Sequence, residues 1–164
     1  MISIIAAIGK NRELGKDNKL LWHIKADMKR FKKLTQNQVV IMGQKTYQSL
    51  PKKFRPLPSR INIVVTHNPK NITDNNQSLI VIGSIDEALK KAKTFNKEIF
   101  IIGGASIYAQ TLSIADKLYL TIVEKTYPDA DVFFPPYKTY FPKIIFQIEG
   151  EENGLKYRFL ELGK

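Results

Sequence analysis

Three apolar segments of strand length, Ile2–Ile8, Val39–Met42 and Ile99–Ile102, each run straight into a glycine, and the last two then open a helical stretch. That repeat limits what the chain can fold into. A segment apolar at every residue suits a strand covered on both faces, and such strands pair in parallel, with helices as the crossovers. Further strands read at Ile61–Thr66, Leu79–Ile82 and Lys117–Val123. Ser84-Ile85-Asp86-Glu87 is a capping box, and it opens a helix with Ile85, Ala88, Leu89 and Ala92 inward. At the end of the chain, Ile144–Glu149 and Leu155–Leu162 bracket Asn153-Gly154, a strong hairpin turn. The expectation is an α/β fold: a mixed, mostly parallel sheet of about eight strands with an antiparallel C-terminal hairpin, flanked by about four helices. Residues 1–164 read as one domain, with no repeat, linker or low-complexity segment.

Composition removes several chemistries. The 164 residues contain no cysteine, which excludes disulfides, thiolate nucleophiles and Cys-based zinc sites, and fits a cytoplasmic protein. His23 and His67 are the only histidines and lie far apart, so no metal site is expected. No apolar run is long enough to span a bilayer, and the N-terminus lacks a basic start or cleavage site. Lys and Arg number 26 against 15 acids, a net +11 that attracts anions. The lysines are scattered and arginines are few, so the charge reads as a solvated surface that favours an anionic small ligand over nucleic acid. No heptad or long exposed apolar helix asks for a partner, so a monomer is expected.

The chemistry concentrates in Leu20–Lys32 and the glycine turns. Ile24, Met28, Phe31 and Thr35 fall at helical spacing, and Asp27 sits within that apolar stripe, while Lys25, Lys29, Arg30, Lys32 and Lys33 take the solvent side. A carboxyl among apolar groups resists ionisation and is suited to proton transfer; the same residue also suits the first turn of any helix, where the dipole favours an acid. The preceding loop, Gly9–Leu21, is polar and of lid length. Gly43 opens a short helix carrying Lys45 and Thr46, and Gly103-Gly104 opens another. Free backbone N–H groups at such starts favour phosphate. The stiff, proline-bearing loop Pro51–Ser59 delivers Arg60, which could clamp a carboxylate or lie on the surface. In open sheets of this kind ligands bind past the carboxyl ends of the strands, where Asp27, Gly43–Thr46 and Gly103-Gly104 all fall.

The ordered set Met1–Ala7, Leu14-Gly15 through Trp22, Asp27, Phe31-Lys32, Val40–Gly43, Lys45-Thr46, Arg55–Pro58, Arg60, Ile102–Gly104, Tyr108 and Leu118–Thr121 resembles the dihydrofolate reductase family over nearly the whole chain. The resemblance implies reduction of 7,8-dihydrofolate to tetrahydrofolate with NADPH, supplying one-carbon metabolism. Asp27 would be the catalytic acid, with Trp22 and Thr121 beside it. Ile5, Ala7, Met28, Phe31, Lys32, Leu50 and Leu57 would bind dihydrofolate or folate analogues, and Arg60 would pair with the glutamate α-carboxylate. Ala7, Leu14, Gly15, Gly43, Thr46 and Ile102 would contact the cofactor, together with Gly103, Gly104, Ala105, Ser106, Ile107 and Tyr108. The Gly103-Gly104 bond would be cis, and Asp131 would set the lid through the loop carrying Gly15. Gln44 and Ser106 stand where the family often has arginines for the adenosine 2′-phosphate, which passes that task to Lys45, Thr66 and His67. A related pterin or pyrimidine reductase is the alternative, but a ribityl-phosphate substrate needs neither Asp27 nor Arg60.

Overall fold

The computed structural model describes residues 1–164. In chain order the strands are β1 (Ile2–Ile8), β2 (Glu13–Gly15), β3 (Val39–Gly43), β4 (Ile61–Val65), β5 (Leu79–Ile82), β6 (Ile99–Gly103), β7 (Lys117–Val123), β8 (Val132–Phe133), β9 (Lys143–Glu152) and β10 (Leu155–Gly163). The helices are α1 (Lys25–Thr35), α2 (Gln44–Ser49), α3 (Ile85–Lys93) and α4 (Ala105–Thr111). Eight strands form one sheet in the order β5-β4-β3-β6-β1-β7-β10-β9, and β2 pairs with β8 outside it. Strands β1, β3, β4, β5, β6 and β7 run parallel, while β10 is antiparallel to both β7 and β9.

The unbroken apolar strands have a direct explanation. Successive side chains of a strand alternate faces. Val39 and Ile41 of β3 join the core under α3 and α4, while Val40 and Met42 join the second core, which carries Phe31 and Leu34 of α1 and Tyr47 of α2. Helices therefore cover both faces, which favours apolar residues at every position of these strands. The C-terminal hairpin turns on Asn153 and Gly154, both with positive φ (52° and 78°), the pairing a two-residue turn requires. Ser84 caps α3, its hydroxyl accepting from the Glu87 N–H at 3.3 Å.

One expectation needs correction. The segment Gly9–Leu21 is not simply a polar loop: β2 lies within it, and Glu13 is buried at 2% exposure. The Glu13 carboxylate accepts from the N–H groups of Asn11 (2.8 Å) and Tyr127 (3.1 Å). Hydrogen bonds replace solvent around that carboxylate, and the start of the Gly9–Leu21 loop is thereby tied to the loop after β7. The outer part of this loop is tied too. Asp131 donates its N–H to Gly15 O and accepts from Asp17 N–H, both at 3.2 Å, and Asn18 Nδ2 donates to Lys45 O at 3.0 Å.

Candidate active site

Helix α1 starts without a side-chain cap, because Ile24 occupies the capping position and is itself buried. The missing acceptor comes from the other end of the chain. Glu152, at the tip of the β9–β10 hairpin, accepts from the N–H groups of Lys25 (2.7 Å) and Ala26 (3.2 Å). Those two bonds, led by Lys25, hold its carboxyl below the usual glutamate range. A carboxyl lowered on folding stabilises above its unfolded value, and that contribution is lost as pH falls through the folded value. Glu152→Ala is therefore expected to lower Tm at neutral pH, with the difference from the parent closing at acid pH. Thermal melts across that range check it, and a difference independent of pH would contradict the cap.

The capped helix presents Asp27 to the sheet. Thr121 of β7 donates its hydroxyl to Asp27 Oδ1 at 2.5 Å, and Oδ2 has no partner in the protein. Burial pushes the Asp27 carboxyl above the ordinary aspartate range; the Thr121 hydroxyl and the Arg30 guanidinium pull against it without cancelling it. Thr121 sits opposite Ala7 of β1 in the sheet. Ala7 in turn packs on the small cluster of Trp22, Ile24, Val123 and Tyr157, with the Trp22 and Tyr127 rings tilted against one another at 5.3 Å between centroids. Trp22, Asp27 and Thr121 thus gather around the same strand ends.

Two assignments on α1 change. Met28 is not on the buried stripe: it is 48% exposed. Arg30 is not on the solvent side. Its Nη1 donates to Leu120 O (3.1 Å) and its Nη2 to Leu160 O (2.9 Å), and the guanidinium lies over the Phe159 and Tyr119 rings at 4.8 and 5.7 Å. Its long apolar stem lets the residue cross buried ground to reach those carbonyls. Lys32 is exposed as expected.

The apolar wall for a ligand lies beside Asp27. Ile5 and Leu57 are buried in the core on the α1 face, with Phe31, Leu50 and Ile102 partly exposed around it. Of the two readings open for Arg60, the surface one fails: it is only 8% exposed. Its Nε donates to Pro58 O (2.9 Å), its Nη1 to Thr35 Oγ1 (3.0 Å), and its face covers Phe31 at 5.8 Å. No carboxylate of the chain pairs with it, and burial lowers its proton affinity. A part-buried guanidinium with no carboxylate partner in the chain can accept one from outside it.

Across the strand ends, the glycine turns meet. A Cβ at Gly43 would touch Ile107 Cγ1 at 3.3 Å, and one at Gly104 would touch Thr46 Oγ1 at 3.3 Å. Gly103 has φ +122°, and a Cβ there would press on the Tyr108 hydroxyl at 3.2 Å and its ring at 3.3 Å. The Gly103-Gly104 bond is cis. Tyr108 is buried, its hydroxyl donating to Ile5 O at 2.9 Å. Neither α2 nor α4 has a side-chain cap, so the N–H groups that start both helices are left for a ligand. Among the other cofactor candidates, Leu14 packs against the core on the α3/α4 face, Gly15 is held by Asp131, and Ala105 and Ser106 start α4. Lys45, within α2, and His67, just past β4, are exposed. Thr66 is buried, and its hydroxyl is engaged with Gln44 (2.5 Å) and the Asn68 N–H (3.0 Å), so it shapes the turn rather than facing solvent.

Sequence reasoning missed Arg30, Glu13 and Glu152. Only Glu152 left a local sign, the absence of a capping residue before α1.

An acid at the strand ends of a doubly covered sheet, opposed by two glycine turns at helix starts, defines a small α/β domain with a ligand cleft at its strand ends. A sequence model described as dihydrofolate reductase matches residues 1–164. A dihydrofolate reductase of Buchnera aphidicola subsp. Acyrthosiphon pisum (strain APS) is 42% identical over 153 residues, covering 93% of this chain and 90% of its own. Those of Bacillus subtilis (strain 168) and Staphylococcus aureus are 38% and 32% identical, each over 98% of this chain and 92% and 96% of their own. The chain belongs to the dihydrofolate reductase family.

Proposed function

We propose that residues 1–164 act as a single-domain, monomeric, cytoplasmic enzyme that reduces 7,8-dihydrofolate to 5,6,7,8-tetrahydrofolate with NADPH. The observation that carries the reading is the part-buried Asp27 carboxyl, with one oxygen bonded to Thr121 and the other free. Two uncapped helix starts that a Cβ would crowd fit a dinucleotide, and Gly43, Thr46, Gly103, Gly104, Ala105 and Tyr108 would hold it. Bound NADPH supplies the reducing equivalent. The chain's own part is to bind, orient and protonate. Asp27 receives the pterin amino group and N3 on its free oxygen and assists protonation at N5 through water. Ile5, Phe31, Leu50 and Leu57 flank the pterin and benzoyl groups, with Met28 at the outer edge. Arg60 takes the glutamate α-carboxylate, with Lys32 outside it. Lys45 and His67 take the adenosine 2′-phosphate. The field of a +11 chain draws in both anionic ligands. Neither nucleic acid nor a membrane is a proposed partner; no helix is long and apolar enough to cross a bilayer.

Loss of nicotinamide absorbance from NADPH, recorded with and without dihydrofolate, tests the reading. Oxidation that requires dihydrofolate supports it; no oxidation with dihydrofolate, or the same rate without it, rejects it. Repeating the assay with NADH measures what Gln44 and Ser106 cost in cofactor preference. Arg60→Lys is expected to weaken dihydrofolate binding by about 1–3 kcal/mol, because an ammonium cannot serve Pro58 O, Thr35 and a ligand carboxylate in one plane. Titration with substrates bearing and lacking the glutamate tail checks this; a variant that weakens both equally contradicts the pairing.

A further inference from the structure

We propose that Arg30 is a positioning residue whose charge, locked one helical turn from Asp27, sets the pH at which that acid works. The inference rests on the reading of Asp27 as the proton donor. Arg30 and Asp27 share a face of α1 at i, i+3. The guanidinium cannot swing away, because Leu120 O and Leu160 O each accept one of its nitrogens and the Tyr119 and Phe159 rings flank it. One of those carbonyls belongs to the residue before Thr121, whose hydroxyl holds Asp27 Oδ1. Acid, hydroxyl and cation are therefore registered on the same stretch of β7.

The pair is close but not in contact. No ion pair joins Arg30 to Asp27, so the carboxyl keeps Oδ2 for substrate. A guanidinium bonded to the carboxylate would hold it ionised; one held off by two carbonyls favours the ionised form while leaving protonation within reach. The other titratable groups around the pair are few. Tyr119 and Lys117 face it from β7, with Lys117 bonded to Glu161 of β10. Tyr108 of α4 lies on the Asp27 side, and Glu152 with His23 stands at the helix start. Lys117 and Glu161 neutralise one another, and Glu152 is bonded to Lys25 and Ala26 N–H groups. Arg30 is the full cation on Asp27's own face that no carboxylate contacts.

The sign follows. A protonated acid is active below its midpoint and loses activity as pH rises through it. Removing the cation makes the proton harder to lose, so the midpoint moves up. Single-turnover reduction of dihydrofolate, measured against pH, tests this in the parent, Arg30→Met, Arg30→Gln and Arg30→Lys. The two neutral variants are expected to shift the midpoint up, so that above the parent midpoint each retains severalfold more of its own plateau rate than the parent does. Arg30→Lys, which keeps the charge, stays at the parent midpoint. Titration of a 13C-labelled Asp27 carboxyl in the same proteins gives the same ordering without turnover. Neutral variants that lose rate but keep the parent midpoint, or that both fail to fold while Arg30→Lys folds normally with a shifted midpoint, overturn the proposal. If Asp27→Asn retains the parent rate and pH profile, the reading of Asp27 fails first, an outcome distinct from failure at Arg30.

Discussion

Asp27→Asn is expected to slow reduction of dihydrofolate at neutral pH by about 10²–10⁴-fold, the usual worth of a positioned general acid. The amide is close to the carboxyl in size and keeps an oxygen that can accept from Thr121, so the helix, the sheet contact and the apolar wall stay in place. What it loses is the titratable proton and the ability to receive two donors from the pterin. NADPH affinity is expected to change little, because the glycine turns that would hold it are on β3, α2, β6 and α4, none of which touches Asp27 through a hydrogen bond. The variant should also lose the pH dependence of the parent. Single-turnover rates with saturating ligands, together with a separate NADPH titration, measure both parts. A rate loss matched by an equal loss of NADPH binding would mean a collapsed site rather than a missing acid.

Gly103→Ala is the second large effect, and it works on the opposite wall. At φ +122° an L-residue is strained whatever space surrounds it, and the added methyl would press on the Tyr108 hydroxyl at 3.2 Å and its ring at 3.3 Å. Tyr108 cannot yield freely, since it is buried and its hydroxyl is bonded to Ile5 O. The expected result is a stability loss of about 1–3 kcal/mol and a fall in NADPH affinity of about tenfold or more. Gly104→Ala provides the comparison. Its methyl would meet a hydroxyl, Thr46 Oγ1, at 3.3 Å without the backbone penalty, so its effects should be smaller. Denaturant unfolding and cofactor titration of both variants check the ranking. Equal effects at the two positions would place the constraint in packing alone.

The sheet and both glycine turns could be read from the chain because their causes are local. A strand buried on two faces favours an unbroken apolar run, and Val39–Met42 is one. Asn153-Gly154 announced its hairpin through the positive φ both residues adopt. Asp27 stood out as a carboxyl in an apolar stripe, although Met28 proved to lie on the outer edge of that stripe. The residues that escaped are those whose partners are distant. Arg30 looked like one more solvated cation, and only the fold brings the carbonyls of Leu120 and Leu160 within its reach. Glu13 looked like a loop acid, and its burial depends on the Tyr127 N–H, 114 residues away. Strand β8 is two residues long, too short to show any period.

The most direct test of the Asp27 assignment is the 13C titration of its side-chain carboxyl in the ligand-free protein, with Asp27→Asn identifying the signal. Burial among apolar groups, opposed but not cancelled by Thr121 and Arg30, is expected to place its midpoint above that of an exposed aspartate. A midpoint at or below the exposed value would contradict the claim that this carboxyl keeps a proton available for the pterin.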